Sequence, residues 1–310
     1  MAFMMSHRVL LPLIIVMLGI APGIQSQAPA TAPSQTPAQI PAPSTENAPI
    51  VTQPDVTYGT AGGHPLLLDI YQPAASTSSL RPAVVLIHGG GWTSFDKTTM
   101  HGMATFLARS GFVAFSVDYR LMHGTENLWP IQLQDVQHAV RWIRANAAKY
   151  GVDPDHIGAF GHSSGAQLAA LLGMEETHET SDPALAKYSS RVQAVVDVSG
   201  PADFTTHGDS DADIFLTAFF GGDYVHHPAI WQDASPVFHV SKNSSPFLIV
   251  HGTHDENVPI SQAQELADRL KQAGVPVKFV KVEDAHTFQT PEARKLLVVE
   301  TQTFFNQYLR

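Results

Sequence analysis

Gly161-His162-Ser163-Ser164-Gly165 is the stretch on which the reading of this chain turns. It follows the apolar run Ile157-Gly158-Ala159-Phe160 and precedes a small-residue helical stretch, 166–173. Strand, tight turn and helix in that order put a Ser at the apex of a strained turn, its hydroxyl pushed into the open. Glycine on both flanks lets strand and helix approach where a side chain would block them. A chance Gly-x-Ser-x-Gly is easy to find, so the surrounding pattern has to decide.

Outward from the turn, strands alternate with helices. Stretches 55–58 and 66–71 read as an antiparallel pair joined at 59–63. The continuous apolar run 82–87 reads as a strand covered on both faces, and 112–117, 192–198 and 247–250 read the same way. Stretch 97–109 is helical and ends at Gly111. In 130–149, Leu133, Val136, Val140, Ile143 and Ala147 step by three and four, with Pro130 in the first turn. A helix is expected over 261–273, where Ser261-x-x-Gln264 resembles a capping box. Stretch 275–282 alternates as a strand, and Thr290-Pro291 opens a last helix to 309. The pattern predicts an α/β fold: a mostly parallel sheet with helices on both faces and reactive groups at the carboxyl ends of the strands.

Three such ends carry reactive side chains in the order Ser, Asp, His. Ser163 is the candidate nucleophile. The strand 247–250 leads into His251-Gly252-Thr253-His254-Asp255, making Asp255 the candidate acid. The strand 275–282 leads into Glu283-Asp284-Ala285-His286, making His286 the candidate base. A Ser hydroxyl needs an imidazole to take its proton and a carboxylate to hold that imidazole in the right tautomer. Glu256 and Asp284 are rival acids, but Asp255 comes first after its strand. Asp203 reads as a turn or cap residue. His251 is expected to make a structural hydrogen bond, and His162 to point away from Ser163.

His88-Gly89-Gly90-Gly91-Trp92 directly follows the strand 82–87. A tetrahedral oxyanion needs backbone N–H groups aimed at it, and each is worth about 2.7–4 kcal/mol. Gly90, Gly91 and Ser164 are the candidate donors. The competing phosphate-loop reading lacks the Lys-Ser/Thr ending at its fixed distance.

Composition sets limits. The chain has 310 residues, 44% apolar, enough for one large domain. A net charge of −10 argues against nucleic-acid or anionic-membrane partners. The absence of Cys excludes disulfides and thiolate chemistry. Sixteen His fall without metal-binding spacing, so neither a metal nor another cofactor is expected. Residues 1–26 read as a signal peptide: His7 and Arg8, an apolar core over 10–20, then Ala21-Pro22-Gly23. Its removal leaves a net charge of −11, and a secreted or periplasmic location follows. The apolar core is far short of the ~20 residues that span a bilayer. Residues 27–50, rich in Ala and Pro, read as a disordered linker, and 51–310 as the catalytic domain.

Together these motifs resemble the α/β-hydrolase superfamily. More narrowly, they resemble the bacterial esterases related to hormone-sensitive lipase and the secreted feruloyl and acetyl-xylan esterase-like group. The resemblance rests on residues 88–92, Asp118-Tyr119-Arg120-Leu121, residues 161–165, Asp255 and His286. It covers roughly 55–310. Ser164 stands where many relatives have Ala, and Thr287 where many have Gly; neither change removes a reactive group. The resemblance implies a Ser-His-Asp carboxylesterase acting through an acyl-enzyme on short-chain or aromatic esters, extending to esters on plant polysaccharide. An amide hydrolase of the arylformamidase or small-peptidase kind is the alternative reaction. A non-catalytic binding protein on the same fold is the alternative class. Relatives with a large cap build it at the N-terminus, where this chain has the Pro-rich stretch, so a small lid is expected. Its candidate is 204–239, with Phe215, Leu216, Phe219, Phe220 and Trp231; an ordinary crossover is the competing reading. Trp92, Trp129, His162 and Phe219 are candidate substrate-binding residues, with Met122 and His123 beside Trp92 and Trp129 as further lining candidates. Plain packing is the competing role for each.

Overall fold

The computed structural model describes residues 48–75, 77–174, 176, 182–206 and 211–310. The expected signal peptide and the linker up to residue 47 lie outside the described residues. The chain enters the sheet at Ile50, the last residue of the expected linker, which pairs with Pro73.

Eight strands form one sheet in the order β1-β2-β4-β3-β5-β6-β7-β8. β1 (Ile50–Ala61) and β2 (His64–Pro73) form an antiparallel hairpin closed by Gly62 and Gly63, both at positive φ. The pair is longer than its apolar cores because the ladder continues through polar residues. β2 runs antiparallel to β4 (Val113–Val117). From there β3 (Arg81–Ile87), β5 (Val152–His162), β6 (Ala194–Val198), β7 (Phe247–Gly252) and β8 (Val277–Val282) are parallel. All residues of β4, β6 and β7 are buried, which explains their unbroken apolar reading.

Side chains alternate between two cores. Val85 and Ile87 enter one, with α2 (Ile131–Ala145), α4 (Ser164–Leu172) and α7 (Ile260–Gln272) over them. Val84 and Leu86 enter the other, under α1 (His101–Arg109) and α8 (Pro291–Leu309). The first predicted helix is two elements, because a 3-10 turn at Lys97–Met100 precedes α1. A short helix, α3 (Ala147–Tyr150), follows α2. The capping box at Ser261 is not made: Pro259 is the N-cap of α7 and Ser261 lies inside the helix. Thr290 does cap α8, its hydroxyl accepting from the Ala293 amide.

Strand order positions the site. The chain leaves β3 for β4 on one side, then crosses back to β5 on the other. β3 and β5 are therefore adjacent, with Ile87 paired to Gly161. Their following loops diverge above the sheet and open a crevice between them, the place where ligands settle in open α/β sheets. Among the described residues of 204–239, α5 (Asp211–Phe220) and α6 (Pro228–Ala234) lie above that crevice, with Leu216, Phe219, Phe220 and Trp231 buried.

Candidate active site

Ser163 directly follows β5 and is the N-cap residue of α4, with φ 55° and ψ −123°, a conformation strained for a residue with a Cβ. The strain is held from outside: the Ser163 amide donates to Val198 O on β6 at 2.8 Å. A Cβ at Gly161 would overlap the Gly165 backbone, and one at Gly165 would overlap the carbonyls of Ile87 and His88. Both glycines are there for close approach.

The structure brings the three candidate residues together across more than a hundred positions of sequence. His286 Nε2 lies 2.8 Å from Ser163 Oγ, and His286 Nδ1 lies 2.7 Å from Asp255 Oδ2. An ionised carboxylate only accepts, so Nδ1 carries the proton. The neutral ring then leaves Nε2 as acceptor for the Ser163 hydroxyl. Asp255 is anchored by the amides of Asn257 and Val258, each 2.9 Å from Oδ1. A second imidazole reaches the same carboxylate: buried His251 has Nε2 3.1 Å from Asp255 Oδ2 and 2.9 Å from Val258 O. Both partners accept, so His251 donates. Burial acts to raise the Asp255 carboxyl, but donation from His251, His286 and the Val258 amide outweighs it and holds the group well below the usual carboxylate range. Asp197, buried on β6 beside this network, is pushed up to about 6 by burial, against the pull of His251 and the Gly200 amide.

The rival acid, Asp284, has a different task. It accepts from the amides of Ala285, Gln289 and Thr290 and from the Thr290 hydroxyl, tying both ends of the loop that carries His286. These donors hold its carboxyl well below the ordinary range, Thr290 first among them. Asp203 makes the expected turn, accepting from Thr205, and Gln262 binds the amides of Ala202 and Asp203.

The glycine run lies against the Ser turn. Gly90 has φ 109° and Gly91 φ 57°. The Gly90 carbonyl is turned away, accepting from the amides of Thr93 and Ser94. Among the described residues, no acceptor is paired with the amides of Gly90, Gly91 or Ser164. The Asp-Tyr-Arg segment supports this loop. Asp118 accepts from Lys97 N at 2.7 Å. Tyr119 stacks on His88 with ring centroids 4.3 Å apart and donates to His88 O. Arg120 forks onto Asp135.

A cleft of about 580 Å³ opens over Ser163. Its walls include Gly89–Trp92, Phe95, Met100, His162, Phe204, Phe215, Leu216, Val258 and His286. Trp92 and His162 are among its walls. His162 turns its ring toward His286 rather than only away from the site, donating from Nε2 to His286 O at 3.1 Å. Burial lowers its proton affinity. Trp129 and Phe219 do not line the cleft. Phe219 is fully buried and stacks behind Trp92 at 4.5 Å, while Trp129 packs on Phe219 and donates to Asp233 Oδ2 at 2.7 Å. Met122 is buried and His123 is exposed; neither reaches the cleft. Phe95, Met100 and Gln262 also line it without a sequence signal: Phe95 sits in a loop that no periodicity marks, and Met100 and Gln262 belong to helical segments read only for their core faces. Among the described residues no group of three potential metal ligands occurs, and no helix is long and apolar enough to cross a membrane.

The eight-stranded sheet, the Ser turn between β5 and α4 and the loops that meet above it are those of an α/β-hydrolase fold. Within that class, the chain belongs to the BD-FAE family, whose model matches residues 68–270. LipM of Mycobacterium tuberculosis (strain ATCC 25618 / H37Rv), a probable carboxylic ester hydrolase, is 33% identical over 238 residues, 74% of this chain and 54% of LipM. The chain spans about half the length of the curated relatives it matches. A truncated carbohydrate esterase from gut microbiota superposes with a TM-score of 0.70 at 28% identity, covering 83% of this chain and 95% of that one. The propionate-bound thermophilic esterase Est2 of Thermogutta terrifontis gives 0.71 at 27% identity, covering 86% and 96%.

Proposed function

We infer that the protein is an exported serine carboxylic-ester hydrolase. The observation that carries the reading is His286 bridging Ser163 and Asp255 at 2.8 and 2.7 Å. Ser163 Oγ attacks the ester carbonyl while His286 Nε2 takes its proton. The amides of Gly90, Gly91 and Ser164 receive the negative charge on the former carbonyl oxygen. His286 then protonates the leaving alcohol, and the acyl group stays on Ser163. Water, deprotonated by His286, releases the acid and restores the hydroxyl. Asp255 keeps the ring oriented and stabilises the imidazolium. The names of LipM, the gut carbohydrate esterase and Est2 support ester chemistry. The substrates are short-chain or aromatic esters, those on polysaccharide included. Export rests on the signal-like residues 1–26, and amino-terminal sequencing of the mature protein tests it.

A fluorophosphonate probe tests the chemistry. The parent should label within minutes, and Ser163→Ala should abolish both labelling and hydrolysis of p-nitrophenyl acetate, by about 10⁶-fold in turnover. Turnover retained in Ser163→Ala would refute the mechanism. Faster cleavage of the matching anilide than of the ester would favour an amide hydrolase instead.

A further inference from the structure

Phe95 costs the fold something and returns little packing. Its φ is 69°, in the left-handed region that residues with a bulky side chain avoid. Its side chain is nevertheless 65% exposed. Such an outlier at a cleft points to a role in binding. The phenyl edge lies over Gly90: a Cβ built there would sit 2.8 Å from Phe95 Cδ2. Across the same glycine run, Phe215 Cζ lies 3.9 Å from the Cβ position of Gly91. Phe215 is itself braced by Trp92, the rings nearly parallel at 17° and 6.4 Å apart. Two phenyl groups therefore stand close to the two glycines whose amides are assigned to the oxyanion, and both line the cleft. Among the described residues, no Asp, Glu, Lys or Arg lines it.

We propose that Phe95 and Phe215 form an aromatic clamp that grips an uncharged aromatic or bulky apolar group attached to the ester. Phe215 is the fixed jaw, stacked on the packed Trp92–Phe219 pair. Phe95 is the solvent-side jaw, covered when the ligand arrives. This deepens, and rests on, the ester-hydrolase reading. The clamp makes aromatic substituents a source of selectivity, each ring contact contributing about 2- to 12-fold. Charged substituents find no counter-ion and lose hydration on entering.

Phe95→Asn tests the clamp, because Asn tolerates positive φ. Ethyl acetate is compared with ethyl phenylacetate for the acyl side and with 2-phenylethyl acetate for the alcohol side. In one of the two series the aromatic-to-small ratio of kcat/KM should fall by about 2- to 12-fold, with a melting temperature no lower than the parent's. A ratio unchanged in both series, or a common loss for small and aromatic esters together with a lowered melting temperature, would overturn the proposal. Binding of the neutral ketone 4-phenylbutan-2-one, read by Trp fluorescence, needs no turnover and should weaken by the same factor. If the parent binds that ketone and Phe95→Asn weakens it, while no ester is hydrolysed, the hydrolase reading fails and the clamp stands. Binding of the 3-phenylpropanoate anion as tight as that of the ketone would refute the preference for uncharged ligands.

Discussion

Lys97→Met removes the cation at the centre of a buried charge cluster. Lys97 Nζ lies 2.9 Å from Asp55, 3.4 Å from Asp69 and 3.8 Å from Asp118, with its own side chain only 9% exposed. Burial acts to lower its proton affinity, but the hydrogen bond it donates to Asp55 and the fields of Asp118 and Asp69 win, and the ammonium is pushed up from 10.5 to about 12. At about 1.36 kcal/mol per pKa unit, that rise contributes about 2 kcal/mol. Met keeps the apolar stem, so the same loss can also be reckoned from the carboxylates left behind. Asp55 is largely solvated and adds little. Asp69 is buried, and breaking a buried pair costs about 3–5 kcal/mol. The expected loss at pH 7 is therefore about 2–5 kcal/mol, a fall of roughly 4 to 20 °C in melting temperature. Calorimetry across pH checks the origin. In acid the deficit should shrink as Asp118, whose carboxyl burial raises, takes up its proton. Because the folded value of Lys97 is raised, its stabilisation is complete below 10.5 and fades as pH rises through about 12, a decline the variant should lack. A loss under 1 kcal/mol, or one that does not shrink with acid, would refute the reasoning.

Asp284→Ala should release the loop holding His286 and lower kcat by about 10- to 100-fold through misplacement of the ring; steady-state kinetics beside a thermal melt would separate this from unfolding. Asp255 is held well below the usual carboxylate range, so the acid limb of kcat/KM should show no break near pH 4 to 5, and such a break would contradict the assignment. Its depressed value also means that the stability it contributes is present above the ordinary carboxylate range and is lost only as pH falls through its folded value.

The strand ends were readable because each reactive residue lies a few positions beyond an expected strand, 157–160, 247–250 or 275–282. Ser163, Asp255 and His286 could be named from that together with their order along the chain, and the glycine run beside them from its place after β3. The cleft walls were not readable in the same way. Trp129 and Phe219 looked like wall residues because they are aromatic, yet Trp92 stands between Phe219 and the cleft. Phe95 sits between polar neighbours, and only its backbone angle sets it apart. Lys97 read as the first residue of an ordinary helix, because its three carboxylates arrive from β1, β2 and the end of β4. Ser261 matched a capping pattern, but Pro259 already ends the preceding extended chain and starts the helix two residues early.

Gln167 gives the arrangement over the cleft its mechanical character. Its side-chain oxygen accepts from the Trp92 indole at 3.2 Å, and its nitrogen donates to Ala234 O at the end of α6, at 2.8 Å. One amide on the Ser163 helix thus rivets the roof to the wall. Ser235 Oγ, accepting from Phe204 N, adds a second rivet. Swinging the roof aside would break both while they are shielded from water. The α6 end of the roof is therefore fastened to the body of the sheet, a fixed frame beside the cleft mouth.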